Sequence, residues 1–312
     1  MIDRFDRNIS REKHSWCYKV YKDYLTEINQ YYWTLIPLAS EAEYRVRNSG
    51  FDNQRFSTAT FFNASGPDVR KIPPYLLEWQ ENFNKFQKWN RINTLVSIIS
   101  NFETYLSSII KVAFESNPGL LLNYSNLKEN SVKIDGVSYL KNGAFTGKYR
   151  ELIEEIVEQI TKGDWQRRTS MFYRIFPDAP SKFKESISEL EHARKLRNNA
   201  AHSFGRRIDV AVNNRSFKKI DETDTLSEKR LMAYFALFSS LTESIDEYLL
   251  NTHIGAYEVI HFYHKNYVEK YNIDRYNSKW RNELKRELTK EAKIDSWGKR
   301  YIESMIKYYH SI

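Results

Sequence analysis

Apolar residues recur along most of this chain at intervals of three or four, the period of a helix that buries one side. Residues 11–36 place Trp16, Val20, Tyr24, Ile28, Tyr31 and Leu35 on one such stripe, which predicts a first amphipathic helix. Residues 50–72 lose the period and collect Gly, Ser, Asn and Pro, the composition of a connecting loop. After Pro73 and Pro74 the pattern resumes. In its most regular stretch Leu95, Ile99, Phe102, Leu106, Ile109 and Ala113 alternate steps of four and three, until Asn117-Pro118-Gly119 stops the helix. This is the predicted central core helix.

Between 120 and 148 the period weakens, and the turn dipeptides Asp135-Gly136 and Asn142-Gly143 predict a small hairpin. Helical spacing returns over 149–162 and in "DWQRRTSMFYRIF", which ends at Pro177. The next helix is expected to start near Ser181, a plausible N-cap, and to run to Ser203 or Phe204, with Gly205 closing its C-terminus. Residues 205–224 carry Arg206, Arg207, Arg215, Lys218 and Lys219 without helical period and read as an exposed basic loop. Helices are expected again over 227–251, 255–271 and 278–311. Only 10 glycines and 7 prolines occur in 312 residues, which together with the periodicity predicts an all-α fold. No internal repeat or low-complexity linker divides the chain, so a single domain is expected over residues 1–312.

Charge narrows the class of partner. A formal net charge of +8 favours polyanions, nucleic acid first among them. A lone Cys17 excludes an internal disulfide and a cysteine metal cluster. The N-terminus lacks the apolar core of a signal peptide, and no apolar run reaches the roughly 18 residues that span a bilayer. The expected setting is soluble and cytoplasmic, with no membrane partner.

Candidate chemistry concentrates in "RKLRNNAAHSFGRR", residues 194–207. On a helical wheel Phe183, Ile187, Leu190, Ala193, Ala200, Ala201 and Phe204 spread over one broad face, and Arg197 lies near its middle. A guanidinium placed there costs on the order of several kcal/mol unless a partner or a bound anion compensates it. Asn198 and His202, four apart, share one edge of the helix. Arg197 and His202, five apart, lie about 140° from each other, so the long arginine side chain or a second helix must unite them. The small Ala200 and Ala201 leave room for that second helix, most simply the same helix of another copy across a two-fold axis.

These residue types suit cleavage of an RNA phosphodiester without a metal. A histidine titrating near neutrality can take the 2′-hydroxyl proton or deliver one to the leaving 5′-oxygen, and an arginine can neutralise charge building on the phosphoryl oxygens. Asn198 can orient the imidazole or hold a phosphate oxygen. The product would carry a 2′,3′-cyclic phosphate. The plain structural readings are a helix C-terminal histidine favoured by the dipole and a buried arginine ion pair. Spacing alone is not specific: Arg7 and His14 satisfy it too, by chance, in a polar N-terminal segment.

The full string "RNNAAH" at the end of an amphipathic helix resembles the signature of the HEPN superfamily (higher eukaryotes and prokaryotes nucleotide-binding). That signature is an Arg followed by four to six residues and a His, with a polar residue, often Asn, right after the Arg. The stretch "LVSIISNFETYLSSIIKVAFESNP" also resembles the first core helix of bacterial HEPN proteins. The resemblance covers a core of roughly residues 85–252 and leaves 1–84 and 253–312 as helical extensions. It implies an up-and-down helical bundle, usually a homodimer. It further implies a metal-independent ribonuclease with no cofactor, acting in toxin–antitoxin or anti-phage defence, where an antitoxin or defence protein is a further partner. Arg197 and His202 would then be catalytic and Asn198 supporting. Glu103, on the first core helix, is a candidate to hold Arg197 or polarise His202, beside its plain reading as a solvated helix charge. Other members of the superfamily lack activity and serve only as binding or dimerisation modules.

Arg206 and Arg207, directly after the motif, with Lys218 and Lys219 further on, are candidate contacts to RNA phosphates or else ordinary loop charges. His261 and His264 are spaced to share a metal with Glu258, but their aromatic surroundings favour ordinary core or surface histidines. The numerous tyrosines, at helical spacing, read as core rather than as base-stacking platforms.

Overall fold

The computed structural model describes residues 5–124, 134–144, 147–203, 213, 215, 224–272, 279–292 and 297–312. Among these residues the protein is all-α, and its β-type pairing is an isolated bridge between Ser57 and Tyr75. In chain order come α1 (Trp16–Arg47), α2 (Thr58–Phe61), a 3₁₀ turn (Pro67–Lys71), α3 (Leu76–Ser116), α4 (Leu120–Tyr124) and α5 (Gly136–Lys141). Then follow α6 (Lys148–Thr161), α7 (Trp165–Ile175), α8 (Lys182–Glu185), α9 (Ile187–Ser203) and α10 (Glu228–Leu249). A π-turn (Leu250–Ile254) leads to α11 (Tyr257–Tyr263), a second π-turn (His264–Glu269), α12 (Lys279–Ala292) and α13 (Lys299–Ser311).

The chain forms two compact units built from interleaved segments. The first takes Met1–Lys22, Phe102–Leu190 and Ser239–Ile312, the second Asp23–Asn101 and Glu191–Phe238. The boundaries fall inside α1, α3, α9 and α10.

In the first unit, Phe102, Leu106, Ile109 and Ala113 of α3 are fully buried, on the stripe that their spacing predicts. The helix ends at Ser116, immediately before Asn117-Pro118-Gly119. Around Phe102 stands an aromatic core in which ring centroids lie 6.0 Å from Trp165 and 6.3 Å from Phe183, while Phe172 sits 5.2 Å from Phe183 and 5.0 Å from Phe176. Large rings at these separations carry most of the burial energy of such a core.

The residues expected to form a hairpin around Asp135-Gly136 and Asn142-Gly143 form a helix instead. Those residues cap a helix: the Val137 N–H donates to Asp135 Oδ1 at 3.0 Å to open α5, and Asn142 closes it. Gly136 is there for another reason, since a Cβ on it would lie 1.7 Å from the Glu115 carbonyl oxygen. The helix expected from Ser181 is interrupted at Ser186, splitting it into the single turn α8 and the longer α9.

The first unit also anchors the start of α1. The Ser15 N–H donates to Asp246 Oδ2 at 3.0 Å, the Ser15 hydroxyl donates to Asp246 Oδ1, and Ser15 Oγ accepts from the Tyr18 N–H at 3.0 Å. The Trp16 N–H lies 3.1 Å from both Glu258 oxygens. Two carboxylates from α10 and α11 thus answer the unsatisfied N–H groups and positive dipole end of a long helix. Burial pushes both carboxyls up, Glu258 to about 7. The adjacent Cys17 thiol is raised by burial and by the charges of Glu258 and Asp246.

In the second unit Leu95 and Ile99 of α3 are buried, again as the spacing predicts. On α1 the predicted stripe is overturned. Val20, Tyr24 and Tyr31 are exposed, at 56%, 56% and 69%, whereas Tyr18, Tyr21, Leu25, Tyr32, Ala39 and Val46 are buried. Both sets have helical period, and the aromatic residues populate two sides of this helix. The helix also continues through Pro37 to Arg47, well beyond residue 36. Residues 50–72 serve as the expected connector, broken only by α2 and the 3₁₀ turn, with Phe51 stacked 3.8 Å from Phe56. Elsewhere in this unit the Tyr32 hydroxyl donates to Glu228 Oε2 at 3.0 Å, and Arg91 Nε donates to the Leu226 carbonyl at 2.6 Å.

Because Glu258 holds its proton to about pH 7 when folded, against an ordinary value of 4.5, its contribution to stability is complete below about pH 4.5 and is lost as pH rises through 7. Glu258→Gln is expected to remove that loss. Urea denaturation at pH 5.5 and 8 should show the substitution gaining on the natural protein by roughly 2–3 kcal/mol as pH increases; a constant difference between the two would count against it.

Candidate functional site

The helix carrying the "RNNAAH" string, α9, extends to Ser203, so the backbone of that string lies at its C-terminal end. Within the second unit α9 buries Ala193 and Leu196, at 0% and 7% exposure. Arg197 follows Leu196 and sits one turn after Ala193, which carries it to the margin of this buried face. Its side chain is half-buried, and its Nε is shielded from solvent. Asn198 is also half-buried, Ala200 is half-buried and Ala201 is exposed.

Neighbouring polar groups fix the helix. Asn199 Nδ2 donates to Asp224 Oδ2 at 2.6 Å, four residues before α10 begins. His192 Nδ1 lies 2.6 Å from the Tyr234 hydroxyl, with the two rings stacked. Arg194 Nε donates to Glu191 Oε2 at 2.9 Å. The His202 backbone is helical; its side chain, together with Arg206, Arg207, Lys218 and Lys219, lies outside the described residues. Arg215 is exposed, with a left-handed φ of 48°.

Glu103 belongs to the first unit and has a clear partner there. Arg168 NH1 donates to its Oε1 at 2.8 Å, with Arg168 only 3% and Glu103 20% exposed at the side chain. The Arg168 guanidinium also stacks 4.3 Å above the Trp165 ring. Glu103 is therefore not a solvated helix charge. Arg168 escaped the sequence reading, although its signal was the same as that of Arg197: it interrupts the apolar stripe Trp165, Phe172 and Ile175 on α7.

The chance pair Arg7 and His14 does not lie in an idle polar segment. Arg7 is buried and hydrogen-bonded to the Ile254 and Ser116 carbonyls at 2.9 and 2.7 Å. His14 Nδ1 stands 3.6 Å from Asp246, its ring stacked on Tyr18. Both are structural. Glu258, His261 and His264 go three separate ways: Glu258 to the start of α1, His261 onto the Tyr257 ring at 5.9 Å, and His264 to the Tyr309 hydroxyl at 2.6 Å and Glu269 at 3.1 Å. Burial lowers the pKa of both histidines, helped at His261 by the Lys265 charge and opposed at His264 by Glu269. Among the described residues no group of three or more His, Cys, Asp or Glu is placed to hold a metal ion.

A basic surface that the sequence did not single out runs along α6 and α7 in the first unit. There a groove of about 690 Å³ is lined by Lys162, Arg167 and Arg174 with one acid, Glu158. No helix among the described residues is long and apolar enough to cross a membrane.

Removing the Glu103 carboxylate would strand a guanidinium that is almost wholly out of water. Glu103→Gln is expected to destabilise the protein by roughly 2–4 kcal/mol in urea denaturation, whereas a change within about 0.5 kcal/mol would show the Arg168 pair to be dispensable.

Compared with models of known families, with characterised proteins and with solved structures, the chain matches none.

Proposed function

We propose that this chain is a metal-independent endoribonuclease of HEPN type, acting as a toxin or anti-phage defence effector, with its site shared between two copies of α9. The observation that supports it best is Arg197: a half-buried guanidinium with its Nε out of solvent, on a helix whose neighbouring turns bury Ala193 and Leu196. A guanidinium at the margin of a buried face can meet a phosphate with charge-assisted hydrogen bonds. His202 follows five residues later on the same helix.

In this reading His202 takes the proton of a ribose 2′-hydroxyl. The 2′-oxygen attacks the adjacent phosphorus, the bond from phosphorus to the 5′-oxygen breaks, and that oxygen leaves with a proton returned by an imidazolium. Arg197 balances the charge on the non-bridging oxygens, and Asn198 orients the imidazole or the phosphate. The products are a 2′,3′-cyclic phosphate and a free 5′-hydroxyl. No metal or cofactor enters the scheme. Arg206, Arg207, Lys218 and Lys219 would grip the flanking phosphates, and the groove with Lys162, Arg167 and Arg174 offers a further basic track. Glu103, already paired with Arg168, is at most a positioning residue here.

Purified protein incubated with total RNA in EDTA is expected to cleave it to fragments ending in 2′,3′-cyclic phosphate. His202→Ala and Arg197→Ala should each slow cleavage by about 10²-fold or more. Cleavage that survives both substitutions would eliminate the site. Absence of cleavage by the natural protein would favour the second reading, a non-catalytic module that binds nucleic acid or a partner such as an antitoxin.

The shared site makes its own prediction. Ala201 is exposed, so Ala201→Glu should leave the monomer folded while abolishing the dimer and the cleavage together. A fully active monomer in sedimentation would contradict that assembly.

A further inference from the structure

A second cleft, of about 510 Å³, lies in the first unit, where the N-terminal segment, the end of α3, the start of α5, the first π-turn and α13 converge. Its walls include Phe5, Asp6, Asn117, Asp135, His253 and Tyr308, with Arg7 among them. This is the size of a small-molecule site, and it gathers several polar groups in one concavity.

The cleft is poor in available positive charge. Arg7 is spent on its own walls: NH1 donates to the Ile254 carbonyl at 2.9 Å, NH2 donates to the Ser116 carbonyl and hydroxyl at 2.7 and 2.5 Å, and Nε pairs with Asp135 Oδ1 at 3.3 Å. Asn117 Nδ2 faces His253 Nδ1 at 3.4 Å, and His253 Nε2 faces the Tyr248 hydroxyl at 3.3 Å. Of the two carboxylates in the lining, Asp135 is taken up by Arg7, the Tyr308 hydroxyl and the Val137 N–H, which leaves Asp6 as the open one.

Its spare hydrogen-bonding capacity is for accepting. Asn117 is only 7% exposed, yet its Oδ1 accepts no hydrogen bond among the described residues. Such a buried, unsatisfied oxygen costs about 1–3 kcal/mol unless something donates to it. Asp6 receives the Asn8 N–H on Oδ1 at 2.8 Å and is otherwise exposed. Phe5 and Tyr308, their ring centroids 5.0 Å apart, add aromatic surface of the kind that attracts cations.

The geometry points to a binding site for a small organic cation, an aliphatic di- or polyamine, whose ammonium N–H groups donate to Asn117 Oδ1 and Asp6. Anionic ligands meet the carboxylates and are repelled. A bare metal ion lacks a ligand set, since no three metal-binding side chains gather among the described residues. The site is independent of the ribonuclease reading: Arg197 and Asn198 belong to the other unit.

Isothermal titration of the nuclease-treated full chain tests it without RNA, with spermidine and putrescine as probes and AMP and magnesium chloride as comparators. Spermidine is expected to bind with a Kd of about 1 mM or tighter, with AMP silent and magnesium unable to displace the amine at equal concentration. Asp6→Asn, at an exposed position, and Asn117→Leu should each weaken amine binding by about tenfold, with circular dichroism confirming the fold. Loss on Asp6→Asn alone supports the site if Asn117→Leu proves unfolded. The proposal is overturned if neither amine binds at 10 mM, if both substitutions leave binding unchanged, if AMP binds as well as spermidine, or if magnesium displaces it.

Discussion

A fully buried carboxylate, Asp246, sets terms that the first unit must meet. A carboxyl out of water is tolerated only when donors surround it, and burial here raises its pKa. Here those donors are the Ser15 backbone and hydroxyl, the Tyr105 hydroxyl at 3.3 Å and the nearby His14. Satisfying one side chain of α10 thus fixes the start of α1, a ring of α3 and the segment leading in from the N-terminus. Glu258 repeats the device one helix later, at the Trp16 N–H. Arg7 works in the opposite sense, a buried cation that collects the carbonyl ends of α3 and the first π-turn. Polar groups with strict partner requirements decide which apolar surfaces meet.

How much of this was legible in the sequence depended on whether one pattern had a single interpretation. On α3 the apolar stripe is unique, so the burial of Leu95 to Ala113 and the stop at Asn117 could be read directly. On α1 aromatic residues occupy two sides, and periodicity predicts the helix without saying which side faces inward. Asp135-Gly136 could open either a hairpin or a helix. The choice fell to the Glu115 carbonyl, a contact from a distant stretch of chain that no local sequence window contains and that only glycine permits.

The candidate site was legible as an anomaly, an arginine on an apolar helix face. The same anomaly occurs at Arg168, where Glu103 and Trp165 supply the explanation within the fold. An interior arginine therefore signals a strong local partner, and by itself it does not distinguish a protein carboxylate from an incoming phosphate. At Arg197 the additional information is the Asn and His that follow on the same helix. The amine cleft, by contrast, left no mark on the sequence, because its lining is drawn from five stretches of chain that only the fold unites.

The setting of Cys17 has a practical corollary. With two acids beside it and little water, this thiol keeps its proton, and it is the thiolate that reacts with alkylating or oxidising agents. The lone sulfur is thereby sheltered from adventitious cross-linking between molecules. It would become a reagent-accessible reporter only when the first turn of α1 lifts from its acidic seat, so that the rate of its modification measures how often that turn opens.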